Sequence, residues 1–146
     1  MYHHLLIGLD GSEVGRLALA RGLELARLTS ARVTLLHAYD DPIPTWADPE
    51  SLAYRAGLYQ DLGKLGQQLL DEAAAEAQAQ GVNATTRLEA RMRPADALLK
   101  ASAGCDLIVV GSHGRRGFDR LVMGSVAEAV ARRATTSVLI VRPAPR

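Results

Sequence analysis

The stretch Cys105-Asp106-Leu107-Ile108-Val109-Val110-Gly111-Ser112-His113-Gly114 sets an unbroken apolar run directly against a glycine-bounded polar turn. An apolar run without alternation marks a strand buried on both faces, as in a parallel sheet covered by helices. Leu5-Leu6-Ile7-Gly8-Leu9 and Val33-Thr34-Leu35-Leu36-His37-Ala38 read the same way. So does Ser137-Val138-Leu139-Ile140-Val141, which Pro143 closes because proline cannot continue a ladder. Residues 83–89 form a weaker candidate. Helical spacing fills the intervals. Residues 12–30 carry Leu19, Leu23 and Ala26 on one stripe, with Ala18, Gly22 and Leu25 beside it. Residues 59–80 carry Leu62, Leu65, Leu69 and Ala73, and Gly81 stops them. Residues 95–103 follow Pro94, and residues 125–134 place Val126, Val130 and Ala134 one above another. Strand and helix alternate throughout, which predicts right-handed crossovers and an α/β fold with a doubly wound parallel sheet.

The chain has 146 residues, a length that predicts a single domain over 1–146. Apolar residues make up 48% and charged residues 23%, which excludes a disordered or fibrous chain. A net charge of +1 argues against a dedicated nucleic-acid binder. Cys105 is the only cysteine, so no intramolecular disulfide and no cysteine-built metal site can form. The opening Met1-Tyr2-His3-His4 leads into an apolar run too short for a secretory signal, and no window approaches the ~20 apolar residues that cross a bilayer. These features predict a soluble cytoplasmic protein with no nucleic-acid or membrane partner. Residues 40–57, with Pro42, Pro44, Trp46 and Pro49, read as a long loop in which Trp46 is either an anchor or a lid.

In open α/β sheets, ligands bind beyond the carboxyl ends of the strands where the strand order reverses. Two strand ends carry the punctuation such a site needs: Leu9-Asp10-Gly11-Ser12 and Gly111-Ser112-His113-Gly114. Gly111 and Gly114 let backbone approach a ligand with no Cβ in the way. Gly124-Ser125 opens the last helix, whose unpaired N–H groups and positive dipole end favour phosphate. From His113 onward seven arginines face only Asp119 and Glu128, so the last segment is net +5 and residues 1–112 about −4. That asymmetry draws an anion to the same end. Plainer roles compete. Gly124-Ser125 also reads as a simple helix start, and the arginines as solvated surface. Asp10 or Ser12 could cap the first helix. His113 reads as a loop residue without a metal role, since no second ligand stands at metal spacing. His37 reads as a satisfied core histidine and Cys105 as a small buried residue.

Together these residues resemble the universal stress protein family, in its ATP-binding branch. Its hallmark is Gly, two residues, Gly, nine residues, then Gly and Ser, and here it reads Gly111-Ser112-His113-Gly114, nine residues, Gly124-Ser125, followed by Val126. Leu6–Ser12, Leu35-Leu36-His37-Ala38 and Thr136–Val141 resemble the family's other strands, so the likeness spans essentially the whole chain. It implies a three-layer α/β/α sandwich, Rossmann-like and similar to the adenine nucleotide alpha hydrolases, with five parallel strands in the order 3-2-1-4-5. It implies ATP, or AMP or ADP, as ligand, with magnesium carried on the phosphates. Asp10 would meet the ribose and backbone near Ala38 the adenine. Gly111, Gly114 and Gly124 would wrap the phosphates, with the Ser125 hydroxyl and the Val126 N–H donating to them. Leu9, Ser112, His113 and Arg115 complete the candidate set.

The resemblance also implies a homodimer built by antiparallel pairing of residues 137–142, which form a sheet edge in that order. Helices are expected over both faces of this strand. Hydrolysis is not expected: no G-x-x-x-x-G-K-[ST] loop exists, and the only lysines, Lys64 and Lys100, lie outside the turn. The rivals are a dimeric interaction module without nucleotide and a slow ATPase.

Overall fold

A computed structural model describes residues 1–40, 48–114 and 122–145. The elements run β1 (His4–Gly8), α1 (Glu13–Thr29), β2 (Arg32–Tyr39), α2 (Pro49–Ala79), β3 (Ala84–Ala90), α3 (Pro94–Ala101), β4 (Leu107–Gly111), α4 (Ser125–Arg133) and β5 (Ser137–Val141). The strands form one parallel sheet in the order β3-β2-β1-β4-β5, as expected.

Strand alternation divides the core into two layers. Leu5, Ile7, Val33, Leu35, Leu107 and Val109 face α1 and α2, where Leu19, Leu23 and Leu70 meet them. Leu6, Leu36, Ile108 and Val110 face α3 and α4, where Leu98, Ala127 and Val130 close the other side. Leu5, Leu6 and Ile7 are fully buried, which accounts for an apolar run with no polar interruption. α1 lies close to the sheet because Gly22 has no side chain; a Cβ there would overlap Ile7.

Three expectations need correction. Residues 49–57 are helical, so α2 starts ten residues earlier than its periodicity suggested. The Asp48 carboxylate caps it by accepting from the Ser51 N–H (2.9 Å), and Pro49 occupies the first turn, where its missing N–H costs nothing. The buried side of α2 is Gly66, Leu70, Ala73 and Ala77, and Leu62 and Leu65 stand 40% and 60% exposed. Helices also fail to cover both faces of β5. α1 reaches it at Val141, while Leu139 remains 37% exposed. Trp46 and the rest of 41–47, like Arg115, Arg116 and Arg120, lie outside the described residues.

The N-terminal ends of the strands are tied by one carboxylate. Asp106 accepts from the His3 N–H (2.9 Å) and the His4 N–H (3.0 Å), clamping β1 to the start of β4. These two bonds hold its carboxyl below the ordinary aspartate range. A lowered folded-state value contributes stability above the unfolded value of about 3.9, and that contribution is lost as pH falls through the folded value. Asp106→Asn should therefore cost about 1 kcal/mol at pH 7. The gap to wild type should close towards pH 2 in urea titrations run across that range, because the protonated acid then resembles the amide.

Candidate functional site

At the carboxyl ends of β1, β2 and β4 the chain leaves a cleft of about 880 Å³. Of the residues expected at a site, Leu9, Asp10, Ala38, Gly111, Ser112, His113, Gly114, Gly124, Ser125 and Val126 all line it. Arg115 is the one outside the described residues. The sequence reading missed Asp40 beside Ala38, and missed Leu36, Leu98, Val110 and Met123, which make the cleft's apolar wall. An apolar residue carries no sign of lining a cleft until its neighbours are known. Asp40 fell in the long loop read over residues 40–57, where nothing singled it out from the other acidic residues.

The β1 end resolves which residue caps α1. Ser12 is the N-cap: its Oγ accepts from the Gly15 N–H (3.0 Å). Asp10 braces the cap, its Oδ1 accepting from the Ser12 N–H (2.9 Å) and the Ser12 hydroxyl (2.6 Å). A Cβ on Gly15 would come within 2.5 Å of Asp10 Oδ1, and one on Gly114 within 2.8 Å of Oδ2. The carboxylate thus sits wedged between the first turn of α1 and the turn after β4.

The β4 end is stapled shut on α4. The Gly124 N–H donates to the Ser112 carbonyl (2.7 Å), and the Ser112 N–H donates to the Val141 carbonyl (2.8 Å). The Ser112 hydroxyl meets His113 Nδ1 at 2.8 Å, and both side chains are buried. His113 is a loop residue, as expected, but an interior one. Gly111 lines the cleft and also admits α1: a Cβ there would press on Val14, 3.1 Å from its carbonyl carbon. At Gly124 a Cβ would stand 3.1 Å from the Ser112 carbonyl oxygen and 3.2 Å from His113 Cα. Gly124 is the N-cap of α4 and offers no side-chain acceptor, so the first-turn N–H groups carry no side-chain cap.

Among the described residues, positive potential at this cleft comes from backbone N–H groups. No lysine or arginine among the described residues lines it. Arg132 pairs with Glu128 (2.9 Å) and Arg133 with Asp96 (2.9 Å), both on the surface. The solvated reading holds for those two. Among the described residues no group of His, Cys, Asp and Glu stands where it could hold a metal ion, and no helix is long and apolar enough to cross a membrane.

His37 is satisfied, as a core histidine should be: its Nδ1 lies 2.7 Å from the Leu9 carbonyl oxygen. Cys105 is half-buried, its thiol 3.6 Å from the Ala101 carbonyl, and burial pushes its pKa up.

Ser12→Ala removes both the cap of α1 and a donor to Asp10. It should cost about 1 kcal/mol, the usual toll of a lost N-cap, read as a lower urea midpoint at unchanged slope.

Comparison with known proteins places this architecture. Residues 1–142 match the universal stress protein family model. A universal stress protein of Mycolicibacterium smegmatis is 35% identical over 145 residues, covering 95% of this chain and 45% of that protein. Universal stress protein YxiE of Bacillus subtilis is 32% identical over 149 residues, covering 97% of this chain and 100% of that protein. The chain therefore spans about half the length of the first relative and the whole of the second. Among solved structures, a universal stress protein in complex with cAMP superposes at TM-score 0.68 with 29% identity, covering 97% of each chain. Fold, chain-wide similarity and family match agree: the chain belongs to the universal stress protein family.

Proposed function

We propose that the cleft binds an adenine nucleotide, ATP or its products ADP and AMP, and that the protein is a cytoplasmic stress-response regulator and not an efficient enzyme. The observation that carries this reading is the staple between Gly124 and Ser112. It aims the uncapped first turn of α4 at a cleft whose opposite end is Ala38 and whose middle is Asp10. Amides at a helix N-terminus suit phosphate, so Ser125 and Val126 would hold the phosphates beside Gly114 and Gly124. An apolar wall of Leu36, Leu98 and Val110 suits a flat base. The Asp10 carboxylate suits ribose hydroxyls, which can donate to it. A related protein solved with cAMP supports the adenine class. Magnesium would arrive on the phosphate oxygens and keep most of its waters.

Hydrolysis needs a positioned water and a charge stabiliser at the terminal phosphate. Among the described residues the cleft has no lysine or arginine for the second task, and an Asp10 placed at the ribose is poorly sited as a base at the terminal phosphate. Nucleotide occupancy, ordering the turn around Gly114, is then the signal that partners read. The protein is proposed to act as a homodimer through the β5 edge, where Leu139 and the 73% exposed Leu28 of α1 border a shallow apolar groove. Paired β5 strands would cover what α1 leaves open.

Thermal shift and calorimetry with ATP, ADP, AMP and cAMP test the reading. At about a hundred times Kd, the preferred nucleotide should stabilise the protein by about 2.7 kcal/mol. Gly124→Val should weaken it at least about tenfold, because its side chain displaces the Ser112–His113 backbone. Circular dichroism should stay native. No shift with any of the four would favour a pure interaction module. Light scattering at micromolar concentration should give the mass of two chains, and a single-chain mass would defeat the dimer.

A further inference from the structure

We infer that His37 is a positioning residue for the base end of the cleft: its imidazole takes the Leu9 carbonyl out of the β1–β2 ladder and so turns the Ala38 peptide over to the ligand. The inference rests on the nucleotide reading above and adds a residue that reading does not use.

The ladder shows the substitution. The Leu9 N–H donates to the Leu36 carbonyl at 2.9 Å, as a continuing parallel pair requires. The next rung would run from the Ala38 N–H to the Leu9 carbonyl. Pairing of β1 with β2 stops instead at Gly8↔Leu36, although β2 continues beside β3 as far as Tyr39↔Ala90. The Leu9 carbonyl meets His37 Nδ1 at 2.7 Å in place of that rung. A carbonyl only accepts, so Nδ1 carries the proton in this contact. Peptide groups of alternate strand residues face the same edge, so the N–H and carbonyl of Ala38 point, with those of Leu36, towards β1. At that level β1 has ended, and Ala38 lines the cleft. A donor and an acceptor side by side on one residue, from its two flanking peptides, match the amine and ring nitrogen on one edge of adenine.

The imidazole is held in place by bare helix. A Cβ on Gly66 of α2 would fall 2.6 Å from His37 Cδ2, so only glycine admits the ring beneath the helix. The Tyr39 ring stacks on its other flank, with centroids 6.3 Å apart, and Gly63 opens room for the Tyr39 hydroxyl in the same way. A leucine at position 37 would extend the apolar run of Leu35 and Leu36. It would supply no donor to Leu9, and a buried carbonyl left without one would reclaim the Ala38 N–H.

His37→Leu and His37→Asn separate these roles, because the asparagine amide puts a donor near the place of Nδ1. The first readout is hydrogen exchange of the Ala38 amide, followed by NMR without ligand. Wild type and His37→Asn should exchange it faster than the Leu36 amide, and His37→Leu should protect it. The second is calorimetry with AMP and with ribose 5-phosphate. His37→Leu should weaken AMP at least about tenfold, the weight of one hydrogen-bonded contact. Ribose 5-phosphate, which has no base, should bind all three proteins alike, and His37→Asn should recover most of the AMP affinity. Equal protection of Ala38 in wild type and His37→Leu would overturn the inference, as would parallel loss of AMP and ribose 5-phosphate. Should His37→Leu fail to fold, His37→Val makes the same comparison with a residue at home in strands. Failure of wild type to bind either compound would defeat the nucleotide reading, and the exchange result alone would then decide the role of His37.

Discussion

The cleft exists because β1 and β4 are neighbours whose chains depart in opposite directions. After β1 the chain crosses to the face covered by α1 and α2, and after β4 to the face covered by α3 and α4. Two loops that diverge from adjacent strand ends cannot fill the space between them, which is the topological origin of a binding crevice in open parallel sheets. Because crossovers in such sheets are right-handed, the order β3-β2-β1-β4-β5 leaves this reversal at one place only. Everything proposed for the site inherits its position from that reversal.

Closing the crevice to a useful width is a matter of backbone approach. Gly111 lets the first turn of α1 lie on the end of β4, Gly15 and Gly114 leave room for the Asp10 carboxylate, and Gly124 seats α4 on the Ser112–His113 turn. At Gly15 and Gly114 a Cβ would strike a carboxylate already hydrogen-bonded, and at Gly111 and Gly124 it would press on backbone. Neither can move aside as a free methyl could. The glycines at the site thus have two possible jobs that look identical in a sequence: each admits another part of the protein, and each also lines the cleft.

That ambiguity explains what the sequence could and could not tell. Burial on both faces stamps β1, β2 and β4 with continuous apolar runs, so their existence and role were legible. β3, an edge strand with Thr85 and Arg87 exposed, carries a fainter pattern. The first half of α2 has no fully buried residue, Tyr59 alone tucking its hydroxyl in against Tyr39, so hydrophobic period had little to report there; its start was written instead in Asp48-Pro49 and the Ser51 bond. Leu62 and Leu65 misled because they are apolar but turned outward, while the residue that meets the sheet is Gly66. Gly111 was legible as a close approach and illegible as to whose. Asp10 and Ser12 were equal candidates for one cap because both have oxygens at the right spacing, and only coordinates show them working in series.

Charge gives the site a direction. Asp40 and Ala38 mark the β2 end, Asp10 the middle, and the first turn of α4 the far end. Carboxylates repel a polyanion, and the dipole end of a helix attracts one, an effect of up to about 2 kcal/mol when partly buried. A ligand with an anionic tail and a neutral, amine-bearing head lowers its energy by lying one way round and raises it by lying the other. The arginines that gave the C-terminal segment its positive excess do not set this direction where they are described, since Arg132 and Arg133 are spent on Glu128 and Asp96. Among the described residues backbone amides are the positive groups, and no side-chain change short of proline removes one. For that reason the orientation of the site is tied to the seating of α4 on Gly124, and a change that unseats the helix should disturb the proposed phosphate binding more than the loss of any single side chain.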